Sequence, residues 1–263
     1  MGWLPGRIAP RSRITTGAIR GRLRKPASSC GVQGVMKRKL LLWSLCFVAA
    51  LVPVQGSDSP AKPRVLLLGD SISMGYTPVV QKMLEGEMTV LRPMNRAGRM
   101  ENCSGTTFGV ANIDRWLEID GGKWDVVHFN WGLHDLKHVK PDGKASDLAS
   151  DPPQAAEDVY AAQLRQIVSK LKATGAKLVF ATTTPVPAEP MKVYRNNADV
   201  IRYNQAALGV MKEAGVAVDD LYTFALPRLK DLQIQPANVH FTPQGSAALG
   251  AEVAKAIRAA LKP

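Results

Sequence analysis

The sequence predicts a three-layer α/β/α domain built on a parallel sheet of about five strands. Three observations lead there. Short apolar runs such as Val65-Leu66-Leu67-Leu68 stop abruptly at turn residues, as buried parallel strands do. Longer stretches with a helical apolar period separate these runs, so strand and helix alternate along the chain with no internal repeat. Residues able to do chemistry (Ser71, Gly105 and His134) fall just beyond the ends of the first three strands, where open α/β sheets bind ligands.

The first strand ends in Gly69-Asp70-Ser71. Gly69 lets the backbone turn where a side chain would clash. Ser71 is left at the strand end, ahead of a helix expected over 77–85 with Pro78 in its first turn. A serine there is a nucleophile if a base reaches it; the competing reading is a helix N-cap. A second strand is expected at 88–91, then a Gly- and Asn-rich loop at 95–109. A helix follows over 110–119, stopped by Gly121-Gly122. The third strand spans 125–130 and leads into Trp131-Gly132-Leu133-His134-Asp135. After a polar loop, Pro152-Pro153 opens a long helix in which Tyr160, Leu164, Ile167, Val168 and Leu171 share a face. A fourth strand at 177–181, a Thr/Pro loop, a helix over 197–214 and a short fifth strand at 216–218 come next. Thr242-Pro243 has the chemistry of a helix start, with Leu249, Val253 and Ile257 facing inward.

The charge is unevenly spread. The chain has 263 residues and a formal charge of +12, which read naively suggests nucleic acid or a membrane surface. Residues 1–56 hold 10 of the 34 Lys and Arg and none of the 22 Asp and Glu, leaving a net charge of +2 beyond them. The basicity belongs to the leader, which removes nucleic acid as a partner. Met36-Lys37-Arg38-Lys39 followed by the apolar run 40–52 and Pro53-Val54-Gln55-Gly56 reads as a signal peptide over 36–56. The run is short for a membrane span, and an uncleaved anchor is the competing reading. Residues 1–35 read as a basic extension, disordered or untranslated, or as a transit peptide. The expectation is an exported protein, periplasmic or secreted, with no stable membrane insertion after cleavage. Residues 57–63 are a linker, and 64–263 form one domain. Cleavage removes Cys30 and Cys46, so Cys103 has no internal partner and an apolar core must hold the fold.

Ser71, Gly105 and His134 lie beyond strands one, two and three, and His240 precedes the last helix. In a flavodoxin-like strand order of 2-1-3-4-5 the first three loops adjoin. A serine, a distant histidine and backbone donors are the parts of acyl transfer. The arrangement resembles the SGNH hydrolases, also called GDSL esterases or lipases, over about residues 64–261. Gly69-Asp70-Ser71-Ile72-Ser73 matches their first block, Ser104-Gly105-Thr106-Thr107 their second, Gly132-Leu133-His134-Asp135 their third and Val239-His240-Phe241-Thr242 their last. The resemblance implies Ser71 as nucleophile, His240 as base and an oxyanion site from the Ser71 and Gly105 N–H groups. It also implies a serine esterase for small acyl groups, such as acetyl esters on polysaccharides, with no cofactor and no metal.

Two positions depart from that pattern. The third block usually carries an asparagine that donates to the oxyanion; here it is His134, which could donate with a pH dependence that an amide lacks. The last block usually has an aspartate three residues before the histidine; here it is Ala237. Asn238, a backbone carbonyl or the Asp219-Asp220 pair could take its place, and the backbone carbonyl is the expected one, giving a Ser71–His240 dyad. Asp70 and Asp135 are supporting residues, and His128 reads as a packed core residue. The tryptophans Trp116, Trp124 and Trp131 are core or sugar-binding. Two other functions compete: a non-catalytic binding protein on the same fold, and a metal-dependent hydrolase using His134, Asp135 and His138.

Overall fold

Arg64–Leu68 form an interior strand of the sheet, with apolar side chains covered on both faces: Val65, Leu66, Leu67 and Leu68 are all fully buried. The structure is a computed structural model that describes residues 61–262. The expected extension, signal peptide and first part of the linker lie outside the described residues. The sheet contains β1 (Arg64–Leu68), β2 (Thr89–Leu91), β3 (Val126–Phe129), β4 (Lys177–Ala181) and β5 (Ala217–Asp219), all parallel, in the order β2-β1-β3-β4-β5. This is the predicted strand order.

Helices α1 (Ser71–Met83) and α7 (Pro243–Ala260) pack together on one face of the sheet. On the other, α3 (Glu157–Ala173) packs between α2 (Thr106–Leu117) and α4 (Asn197–Ala214). The face predicted for α3 is the buried one: Tyr160, Leu164, Ile167, Val168 and Leu171. Trp116 and Trp131 are fully buried and stacked, and Trp124 is nearly so, so these rings serve the core and not a sugar surface.

Three helix starts differ from expectation, two of them because a side chain accepts a first-turn N–H. The first helix begins at Ser71, since Asp70 Oδ1 accepts the Ile72 N–H at 2.9 Å. Pro78 therefore lies inside α1, on an exposed face, and not in its first turn. The second begins at Thr106, whose N–H is taken by Asp135 from a distant loop at 2.7 Å. Pro152-Pro153 does not open α3; Pro153 instead pairs with His138 as an isolated bridge. The short helices α5 (Leu221–Ala225) and α6 (Leu229–Leu232) were not expected; four or five residues carry too little periodicity to read.

Candidate active site

Ser71 stands on the first residue of α1, directly beyond β1. The tight path from strand to helix needs Gly69, where a Cβ would come 2.9 Å from Ser73 Oγ. Arg92 braces the same turn from behind. Nearly buried, it donates to the Gly69 carbonyl at 3.3 Å and to Thr77 Oγ1 at 2.8 Å. Ser71 is thus held on a rigid element with its side chain half-exposed.

His240 reaches Ser71 from the loop between α6 and α7. Its Nε2 lies 2.9 Å from Ser71 Oγ. Its Nδ1 lies 2.9 Å from Asn238 Oδ1, which also accepts the His240 backbone N–H at 3.0 Å. An amide oxygen only accepts, so Nδ1 carries the proton and Nε2 offers its lone pair to the serine hydroxyl. That is the tautomer a general base requires.

The expectation of a backbone carbonyl at Nδ1 is therefore corrected: the Asn238 side chain takes that place. The reason is local. Ala237 adopts a left-handed conformation (φ 54°), which curls the loop so that Asn238 folds back on the residue two ahead. The Asp219-Asp220 pair serves elsewhere. Asp219 Oδ2 is 3.0 Å from His128 Nε2 in the core, and Asp220 caps α5 through the Thr223 N–H at 3.1 Å.

The loops after β2 and β3 close the other side. Gly132 must be glycine, because a Cβ there would lie 2.2 Å from Thr183 Oγ1. His134 is half-buried, and its Nδ1 lies 3.3 Å from Ser104 Oγ. Burial first, then the Lys137 and Arg195 charges, push its pKa down to about 4. His134 is therefore a neutral imidazole with one N–H through the neutral range, and the expected pH dependence of that donor moves to strongly acid conditions. Asp135 turns inward. Its Oδ1 accepts the Thr106 N–H and lies 2.6 Å from the Thr106 hydroxyl, tying this loop to the Gly105 corner. Burial pushes its carboxyl up to about 6, and its Oδ2 has no partner among the described residues. The N–H groups of Ser71 and Gly105 also have no acceptor among the described residues, as first-turn and cap positions of helices leave them.

Ser71, His134, Asn238 and His240 all line one groove of about 820 Å³. Of the three metal candidates only His134 lines it; Asp135 and His138 do not. His138 Nδ1 faces the Leu148 carbonyl at 3.2 Å, while His134 faces Ser104 and Asp135 faces Thr106. These side chains diverge because they sit on a turn and a bridge, not on one helical face. Among the described residues no group of three or more His, Cys, Asp or Glu is placed to hold a metal ion, so the metal-site reading of His134, Asp135 and His138 is corrected. Cys103 is buried beside the site with its thiol pushed up to about 12 by burial, and takes the part of a small apolar residue. Sequence reasoning missed the roles of Ser104, Thr106, Arg92 and Arg195. Ser104 and Thr106 flank Gly105 and could have been found; the two arginines left no signal.

Comparison with known proteins places the chain in a family and agrees with its fold. The model of the GDSL-like Lipase/Acylhydrolase family matches residues 67–248. Among solved structures, a lipase/acylhydrolase from Enterococcus faecalis is similar at 19% identity and a TM-score of 0.58, covering 76% of this chain and 98% of that one. LAE5, an alpha/beta hydrolase enzyme from the metagenome of Lake Arreo, Spain, has 16% identity and a TM-score of 0.57, covering 77% and 98%. An acetyl xylan esterase, AlAXEase, has 16% identity and a TM-score of 0.55, covering 74% and 99%. No curated protein sequence matches the chain.

Proposed function

The chain belongs to the GDSL-like lipase/acylhydrolase family, and from that premise we propose that it is an exported serine esterase working through Ser71, His240 and Asn238. The observation that carries this reading is the 2.9 Å approach of His240 Nε2 to Ser71 Oγ, with Asn238 holding the opposite ring nitrogen. His240 takes the Ser71 proton as Oγ attacks the ester carbonyl carbon. The negative charge on the carbonyl oxygen is met by the Ser71 and Gly105 N–H groups and by His134. The position of Ser71 at the positive end of α1 favours the same charge. The tetrahedral intermediate collapses, His240 passes its proton to the departing alcohol, and an acyl-enzyme remains. Water, deprotonated by His240, then releases the acid.

Asparagine in place of the usual acid is chemically adequate for orientation, as in the Cys-His-Asn arrangement of papain-like proteases. The similarity to an acetyl xylan esterase supports small acyl groups on a carbohydrate as the substrate class. The basic, then apolar, leader at 36–56 supports export. The test is a fluorophosphonate probe on residues 57–263, together with a screen of short-chain p-nitrophenyl esters. Covalent labelling at Ser71, abolished with turnover in Ser71→Ala, is the expected result. Undiminished hydrolysis in that variant would rule out the serine mechanism, and absence of both labelling and turnover would favour a binding protein on this fold.

A further inference from the structure

The groove beside Ser71 is lined by two cationic side chains, Lys192 and Arg195, and by no carboxylate. Lys192 is exposed, whereas Arg195 is half-buried just before α4. Arg195 Nε donates to the Leu133 carbonyl at 2.9 Å, which anchors the arginine to the His134 loop. Its two Nη nitrogens have no acceptor among the described residues, and no Asp or Glu lies within ion-pair distance of it there. Partial burial without a counter-ion disfavours its charge and pulls its pKa down to about 10, with the Asp70 carboxylate opposing at longer range. Asp70 itself is buried behind the turn and committed to the Ile72 N–H. Lys137 and Arg195 both disfavour protonation of His134, so the charge around that loop is positive. A guanidinium with one nitrogen anchored and its outer edge open to a groove has the fork geometry that binds a carboxylate through two parallel hydrogen bonds.

We propose that the groove selects esters carrying a carboxylate near the scissile bond, held by the outer edge of Arg195 with Lys192 beside it. This rests on the serine-esterase reading and names the substrate class for that same site. A carboxylate placed there completes the missing counter-charge, so binding removes a cost that the free enzyme bears. It leaves the oxyanion donors untouched, because Arg195 reaches the His134 loop only through Nε. The groove volume exceeds what an acetyl group needs, which leaves room for the charged portion.

The experiment compares matched esters that differ in one charge. Acetylsalicylate against its methyl ester places the carboxylate on the alcohol side. 4-Nitrophenyl hydrogen glutarate against its methyl ester places it on the acyl side, so the two arms show which side of the bond Arg195 serves. In at least one pair the charged member is expected to have the higher kcat/KM by about tenfold or more, 1.4 kcal/mol. That preference should shrink in 1 M salt, where the screening length is about 3 Å. Arg195→Gln should collapse the ratio and Arg195→Lys restore part of it. Lys192→Gln, at an exposed position, should lower the ratio even if the Arg195 variants fold poorly. Turnover of the neutral esters with no preference in either pair overturns the inference alone, as does a preference unchanged by all three substitutions. Hydrolysis of no ester at all overturns it together with the esterase reading.

Discussion

His128 and His240 each hold one ring nitrogen against a side-chain oxygen, at 3.0 and 2.9 Å, yet they sit in opposite surroundings. His128 is fully buried in β3, its Nε2 on the Asp219 carboxylate and its ring edge-on to Tyr76. His240 is exposed on a loop, its Nδ1 on the neutral Asn238 amide and its Nε2 on Ser71. Judged by partner type alone, His128–Asp219 looks more like the base and acid of a hydrolase. Access decides otherwise: no hydroxyl nucleophile lies at the free nitrogen of His128, whose Nδ1 is buried without a partner. A histidine–carboxylate pair inside a sheet holds strands together, whereas a histidine–amide pair at a groove can move a proton.

The sharpest way to break this comparison is to remove each ring. His240→Ala should lower kcat/KM between about 10² and 10⁴-fold, the usual worth of a general base, with thermal stability little changed. His128→Ala should do the reverse, costing about 3–5 kcal/mol of stability because Asp219 is left buried and unpaired. Activity per folded molecule should survive. Calorimetry and ester kinetics on both variants read the two effects, and a catalytic loss in folded His128→Ala comparable to that of His240→Ala would overturn the distinction.

His134 lies between these extremes and sharpens the contrast. His134→Ala should lose about 2.7–4 kcal/mol of transition-state stabilisation, the value of one oxyanion donor, while His134→Asn keeps most of the rate. Stability gives a second readout. The folded-state pKa of about 4 lies below the ordinary 6.5, so the unfolded chain binds that proton first. Stability is therefore lost as pH falls from about 6.5 toward 4. Neighbouring Asp135 acts in the opposite direction, since its pKa of about 6 lies above the ordinary 3.8 and the folded chain holds that proton between the two values. The difference between His134→Asn and the unmodified chain isolates the histidine: the variant should lose less stability over that acid window.

The smallest expected effect concerns the partners. Asn238→Ala should cost more than about tenfold in kcat/KM, 1.4 kcal/mol, because the imidazole loses its acceptor. Asp219→Ala and Asp220→Ala should each cost less than that once the folded fraction is counted. Asn238→Asp should move the acidic limb of the rate profile to higher pH, since a carboxylate favours the protonated ring. A thousandfold loss from Asp219→Ala without unfolding would mean that the buried pair is the working one.

Much of this was legible along the chain. Periodicity marked α3 and the ends of β4 and α4, and the turn glycines and Thr242-Pro243 marked where elements begin and stop. Ser71, Gly105, His134 and His240 were found because each lies where a strand end or helix start puts side chains at the sheet edge. The start of α2 is one boundary that local chemistry does not show. Nothing near Thr106 in sequence says that Asp135 will take its N–H, 29 residues away.

The sequence by itself determined the alternation of strand and helix, and with it the parallel sheet and the edge at which the site must lie. Apolar period and turn chemistry are local properties, so they can be read residue by residue. Tertiary structure alone decided which partner each histidine has, that His134 stays neutral, and that Arg195 keeps an unmatched edge toward the groove. Those facts depend on burial and on distances of a few ångströms between segments remote in the chain. Asn238 marks the boundary between the two. It was visible as a candidate from its position, but only the left-handed turn at Ala237 placed its oxygen on His240.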